Sequence, residues 1–110
     1  MVKLQRFDVC LANLDPTVGS EIKKTRPVVI ISPDSMNLSR LQTIIIAPLT
    51  STIRENFPTR IHVNFKNKAE QIALDQLRSI DRIRIINILG RIEAESEDNI
   101  LNTLSVMFQR

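Results

Sequence analysis

The chain is 110 residues long, with 43% apolar and 25% charged residues and a net charge of +3. That length fits one domain, 1–110, able to bury a core without disulfides or a structural metal, and no apolar run reaches the ~18 residues of a membrane helix. With one Cys, one His and no Trp or Tyr, a Cys/His zinc cage and a broad aromatic platform for stacking bases are excluded.

The N-terminus, Met1 to Arg6, lacks the apolar stretch of a secretory leader, so a cytoplasmic location is expected. The basic balance favours a polyanionic partner such as nucleic acid. Cys10 lies in an apolar stretch and reads as a buried core thiol. His62 lies among strand-like residues and reads as a surface residue. No tight acidic cluster points to a metal, and no cofactor is expected.

The first strand is predicted over Phe7 to Asn13, with Phe7, Val9 and Leu11 on one apolar face. Leu14 to Thr25 follows as a loop, with Asp-Pro and Gly-Ser turn chemistry and the basic pair Lys23-Lys24 near its end. Pro27 to Ile31 is β-branched and apolar on both faces, which marks a central strand, and Pro27 is tolerable at its start. Thr43 to Thr50 is a second such strand, and Ser51 to Pro58 a second polar loop. Thr59 to Phe65 alternates as a strand with Ile61, Val63 and Phe65 on one face. Gln71 to Ile80 reads as one more strand whose apolar phase breaks near Asp75-Gln76, and a β-bulge there accounts for the break. Asp81 is placed to cap a short helix through Ile85, and Asn87 to Ile92 completes the strands.

The clearest helix is C-terminal. Ser96 is its expected N-cap, with Glu97 and Asp98 in the first turn. Ile100, Leu104, Met107 and Phe108 then share one face at helical spacing. Short strands followed by one amphipathic helix give a mostly β (α+β) fold: a small barrel packed by a helix.

If the strands at 27–31 and 44–49 pair antiparallel, Arg26 at one start lies beside Thr50 at the other end. Loops 14–25 and 51–58 rise from the same edge. A cation and a hydroxyl flanked by basic loops form a candidate phosphate site. Each of these residues also has a plain structural reading. Arg26 serves as a solvated flank, Thr50-Ser51-Thr52 as a turn bonding its own backbone, and Lys23-Lys24 as a solvated pair. Asp75-Gln76 then only marks the bulge, and Glu21 is an exposed carboxylate.

Four motifs in order shift that balance. Leu14-Asp15-Pro16-Thr17-Val18-Gly19-Ser20-Glu21, Thr25-Arg26-Pro27-Val28-Val29-Ile30-Ile31-Ser32-Pro33, Ala47-Pro48-Leu49-Thr50-Ser51 and Asp75-Gln76-Leu77-Arg78-Ser79-Ile80-Asp81 together resemble the MazF/PemK family of toxin–antitoxin endoribonucleases. The resemblance implies an SH3-like barrel, a homodimer, and metal-independent cutting of single-stranded RNA. It also implies a cognate antitoxin whose acidic flexible tail blocks the site, and contact with operator DNA only through that antitoxin. By position it places the essential arginine on Arg26 and the essential threonine on Thr50. The loop glutamate falls on Glu21, and the acidic residue assigned as a base in some members falls on Asp75. Ser20, Lys23, Lys24, Thr25, Ser51, Thr52, Phe57, Gln76 and Arg78 are the accompanying candidates for RNA contact.

The chain departs from the family pattern at three places. The Arg-Gly-Asp that often opens the first strand reads Arg6-Phe7-Asp8, and a Phe is costly at a positive φ, so a different start to that strand is expected. Ser20 stands where some members have a histidine. Ala73 stands where some have an arginine two places before the acidic residue. The alternative reading is a non-catalytic nucleic-acid- or protein-binding toxin on the same barrel; a plain SH3-like structural module is a third.

Overall fold

The computed structural model describes residues 3–110. It runs β1 (Asp8–Asn13), β2 (Thr25–Ile30), α1 (Asp34–Asn37), β3 (Thr43–Thr50), β4 (Arg60–Phe65), β5 (Lys68–Ala73), β6 (Arg78–Asp81), β7 (Ile85–Arg91) and α2 (Ala94–Phe108). All strand pairs are antiparallel, in the order β4-β5-β3-β2-β1-β7, with β6 also on β3. No helix among the described residues is long and apolar enough to cross a membrane.

The sheet curls into a half-barrel because β3 serves two neighbours on one side. Its first half, Thr43 to Ile46, pairs with β6, and its end, Leu49-Thr50, pairs with β5. Pro48, which has no N–H to give to a ladder, falls at that changeover. Shifts of register between β1 and β7, at Val9/Cys10 and Leu11/Ala12, add curvature at the other end. The outer strands meet through side chains: a Cβ on Gly90 of β7 would lie 3.2 Å from the Phe65 ring of β4. A larger residue there would require the Phe65 ring to shift by a few tenths of an ångström.

Both faces of the central strands are covered, as the unbroken apolar runs predicted. Val29, Leu49, Ile72 and Leu74 face a core closed by Ile100, Leu101, Leu104 and Met107 of α2. Val28, Ile30, Ile44 and Ile46 face a second core with Cys10, Leu14 and Ile80, against which Ile22 packs. Leu14 and Ile22 belong to the loop after β1, so that loop is anchored by burial. Cys10 is fully buried, and loss of water with the nearby Asp8 charge pushes its thiol up to about 12.

Several boundaries differ from expectation. β1 is apolar on both faces: Cys10 and Ala12 are as buried as Val9, while Leu11 is only half-buried. The phase break near Asp75 is not a bulge. A 3-10 turn, Leu74–Gln76, separates β5 from β6. β5 starts at Lys68, after a tight turn in which Lys66 and Asn67 both have positive φ, the geometry of a two-residue hairpin. Asp81 does cap a short 3-10 turn, Arg82–Arg84, by accepting from the Ile83 N–H. In α2 the N-cap is Glu93, Ser96 is buried inside the first turn, and Phe108 faces solvent.

The start of β1 is the main surprise. Phe7 adopts φ 72° and its ring is buried in the helix-side core. The positive φ costs a non-glycine residue about 1–2 kcal/mol, less than the ~3–5 kcal/mol lost when a buried Phe is truncated. Hydrogen bonds hold the strained turn on both sides: the Phe7 N–H donates to the Ile30 carbonyl and its carbonyl accepts from the Ile92 N–H. Asp8, buried, accepts from the Gln5 N–H and pairs with Arg91 at 2.9 Å. Phe7→Gly is therefore expected to lower stability by about 2–3 kcal/mol, and Phe7→Ala by about 1 kcal/mol more, because Ala keeps the strain. Urea denaturation of both variants checks this order; a more stable Ala variant contradicts it.

Candidate active site

The register of β2 on β3 pairs Val28 with Pro48 and Val29 with Ala47. Two residues further, Arg26 and Thr50 come to the same end of the sheet. There they line a cleft of about 210 Å³ together with Ser20, Glu21, Ile22 and Lys23 from one loop, Thr52 and Arg54 from another, and Arg60 and Gln76. Four cations face one carboxylate across this lining, so the cleft attracts anions.

Arg26 is held from behind. Its Nε donates to the Lys23 carbonyl at 2.8 Å, which leaves the two terminal nitrogens as the donors for a ligand. Thr50 is almost fully buried. Its Oγ accepts from the Thr52 N–H at 3.1 Å, so the hydroxyl proton remains available to donate. The turn geometry of Thr50-Ser51-Thr52 is therefore compatible with a ligand contact by the Thr50 hydroxyl.

Two glutamines fix the loops that wall the cleft. Gln76 accepts from the Ile22 N–H and donates to the Ser20 carbonyl, pinning loop 14–24. Gln71 is fully buried; it accepts from the Arg54 N–H and donates to the Arg54 carbonyl, pinning loop 51–59. Glu21 is the lining carboxylate. One oxygen accepts from the Val18 N–H at 2.8 Å, which ties the loop and sets the carboxylate's direction.

Asp75 does not line the cleft; its partner Arg60 does. Arg60 Nε and Nη2 donate to the two Asp75 oxygens at 2.7 and 3.0 Å, and the Thr59 hydroxyl donates to Oδ1 at 3.1 Å. Chiefly through the Arg60 bonds, the Asp75 carboxyl is held below the usual carboxylate range. A carboxylate with both oxygens engaged and a lowered pKa is a weak proton acceptor.

Of the other expected contacts, Ser20, Lys23, Thr52 and Gln76 line the cleft, and Lys24, Thr25, Ser51, Phe57 and Arg78 do not. Lys24 closes the base of its loop through its N–H to Asp15 and its carbonyl to Leu14. Arg78 turns to the same base and donates to the Leu14 carbonyl. Thr25, Ser51 and Phe57 are exposed outside it. Sequence reasoning missed Ile22, Arg54 and Arg60. Their side chains reach the cleft through pairings between distant segments, and no local pattern marks them. Among the described residues no three His, Cys, Asp or Glu side chains gather as a metal site would require.

Comparison with known proteins fits this geometry. A sequence profile of PemK-like, MazF-like toxins of type II toxin–antitoxin systems matches residues 5–108. The chain is 32% identical over 108 residues to the endoribonuclease EndoA of Bacillus subtilis (strain 168), covering 94% of this chain and 92% of that protein. Among solved structures, MazF (Form-I) from Deinococcus radiodurans matches with a TM-score of 0.82 at 20% identity over 97% of each chain. A MazE–MazF complex (Form-II) from the same organism matches with a TM-score of 0.76 at 17% identity, over 97% of this chain and 96% of that one. The structures establish the likeness of fold, and the sequence matches extend over nearly all of the chain. This chain belongs to the family of PemK-like, MazF-like toxins of type II toxin–antitoxin systems.

Proposed function

We propose that this chain is a metal-independent endoribonuclease that cuts single-stranded RNA by attack of the 2′-hydroxyl on the adjacent phosphate. The observation that carries the reading is the convergence of Arg26 and Thr50 in one cationic cleft. The fork of Arg26 matches two phosphoryl oxygens. Thr50 adds a hydroxyl donor. Both act on charge that grows as the phosphorane forms, where such donors have most effect. Glu21, the carboxylate within the lining, accepts the 2′-hydroxyl proton as the bond from the 2′-oxygen to phosphorus forms; the bond from phosphorus to the 5′-oxygen breaks, and the leaving 5′-oxygen takes a proton from solvent. Its tie to Val18 leaves the second oxygen for that task.

The partners follow from the same surface. A cleft built for phosphates also holds carboxylates, so a cognate antitoxin covers it with an acidic flexible tail. The solved MazE–MazF complex on the same fold supports an antitoxin partner. Operator DNA is reached through that antitoxin, in the cytoplasm where the RNA also is.

A second copy of this chain covers the β7 edge. Among the described residues β7 pairs only with β1, and Ile83, Ile86 and Ile88 are 86%, 56% and 37% exposed beside that edge. An uncovered apolar edge strand is an aggregation hazard, and a self-pairing dimer removes it.

In excess EDTA the protein is expected to cut single-stranded RNA, and Arg26→Ala and Thr50→Ala each to lose about 100- to 1000-fold in rate. Gel assays of end-labelled RNA check this. Activity that needs added magnesium, or tight RNA binding without cleavage, would sink the reading; the latter is the outcome for a non-catalytic binder. Light scattering at tens of micromolar should give a dimer mass, and Ile86→Lys should shift it toward the monomer. A fully active wild-type monomer contradicts the dimer.

A further inference from the structure

Arg60 occupies an unusual position for a strand-flank arginine. It opens β4 directly opposite Ala73 of β5, and its side chain is only 9% exposed, against 38% for Asp75. Burying a guanidinium is costly unless it is paired, and Asp75 supplies the pair. The pair is polarised by its placement. Arg60 lines the cleft and Asp75 does not, so the cleft meets the cationic end.

The fork is also divided. Nε and Nη2 are engaged by Asp75. Nη1 carries two further N–H donors with no partner among the described residues. A bound arginine with a fixed plane and spare donors is ready to receive a phosphoryl oxygen, because little side-chain entropy remains to be lost.

We propose that Arg60 is a second phosphate-binding guanidinium of the site alongside Arg26, and that Asp75 is the residue that positions it and not the proton acceptor. The inference deepens the RNA-cleaving reading and rests on it for the catalytic part. The binding part stands separately, because phosphate contact has its own signature: each contact with a single strand contributes about 0.7 to the slope of log affinity against log salt.

The test uses the full chain with two probes, a cleavable single-stranded RNA and the same strand with 2′-deoxy sugars, which binds without being cut. Arg60→Ala is expected to flatten the salt slope for the uncut strand by about 0.7 and to lower kcat about 100-fold or more. Arg60→Lys should restore the slope but little of the rate, because an ammonium cannot reproduce the fork. Asp75→Asn should cost less than Arg60→Ala, cost nothing further in the Arg60→Ala background, and leave the acidic limb of the pH–rate profile in place. If Arg60→Ala fails to fold, Arg60→Gln and Arg60→Lys carry the same comparisons. An unchanged slope with a wild-type kcat in Arg60→Ala overturns the proposal. So does an Asp75→Asn loss that adds fully to that of Arg60→Ala and removes the acidic limb, which makes Asp75 the base. Absence of cleavage by the wild-type protein would instead refute the nuclease reading, and the salt slope would still decide the Arg60 contact.

Discussion

The antiparallel register between β2 and β3 is the constraint on which the rest of the structure depends. It brings the start of one strand to the end of the other, so Arg26 and Thr50 share one edge although 24 positions apart in the chain. A slip of one residue would turn Val28, Val29, Ile30, Ala47 and Leu49 to opposite faces. Both faces are buried in two separate cores, so either slip disrupts packing on both sides. The apolar residues that stabilise the fold thus also fix the placement of Arg26 relative to Thr50.

Loops set the shape of the cleft, and they are held by means other than their own composition. Leu14 and Ile22 anchor one loop in the second core, while Gln76 and Gln71 bind the main chain of the two loops. Each such bond contributes about 0.5–1.5 kcal/mol net, but a buried amide without partners would cost more, so Gln71 also constrains the folded state. The result is a cleft whose two loop walls are held by the fold itself. Donors that need no rearrangement are the ones that lower a barrier most.

What the sequence makes legible follows from how local each cause is. The central strands read correctly because a β-branched run apolar on both faces has few other solutions, and the Arg26–Thr50 edge follows from their pairing. The turn at Lys66-Asn67 was hidden because positive φ there is carried by residues other than glycine. The break at Asp75 showed in the apolar phase, but phase alone does not distinguish a bulge from the 3-10 turn that forms. Phe7 defied its expected avoidance of positive φ because its ring gains more in the core than its backbone loses. Arg60 was illegible for a similar reason: its burial depends on pairing with Asp75, 15 positions away. Arg78, by contrast, has a motif position that implied RNA contact, and its guanidinium donates to the Leu14 carbonyl at a loop base, outside the cleft lining.

In the proposed reaction the attacking group comes from the RNA, and the protein supplies charge stabilisation and alignment. With the substrate's own 2′-oxygen held next to phosphorus, no hydroxide need be generated. The most direct measurement places one 2′-deoxy sugar on the 5′ side of a mapped cleavage site and compares rate and end chemistry with the all-ribose strand. This strand is expected to bind without being cut, and the all-ribose products to carry 2′,3′-cyclic phosphate and 5′-hydroxyl ends. Cleavage of the deoxy strand at a similar rate, with 5′-phosphate ends, would contradict it.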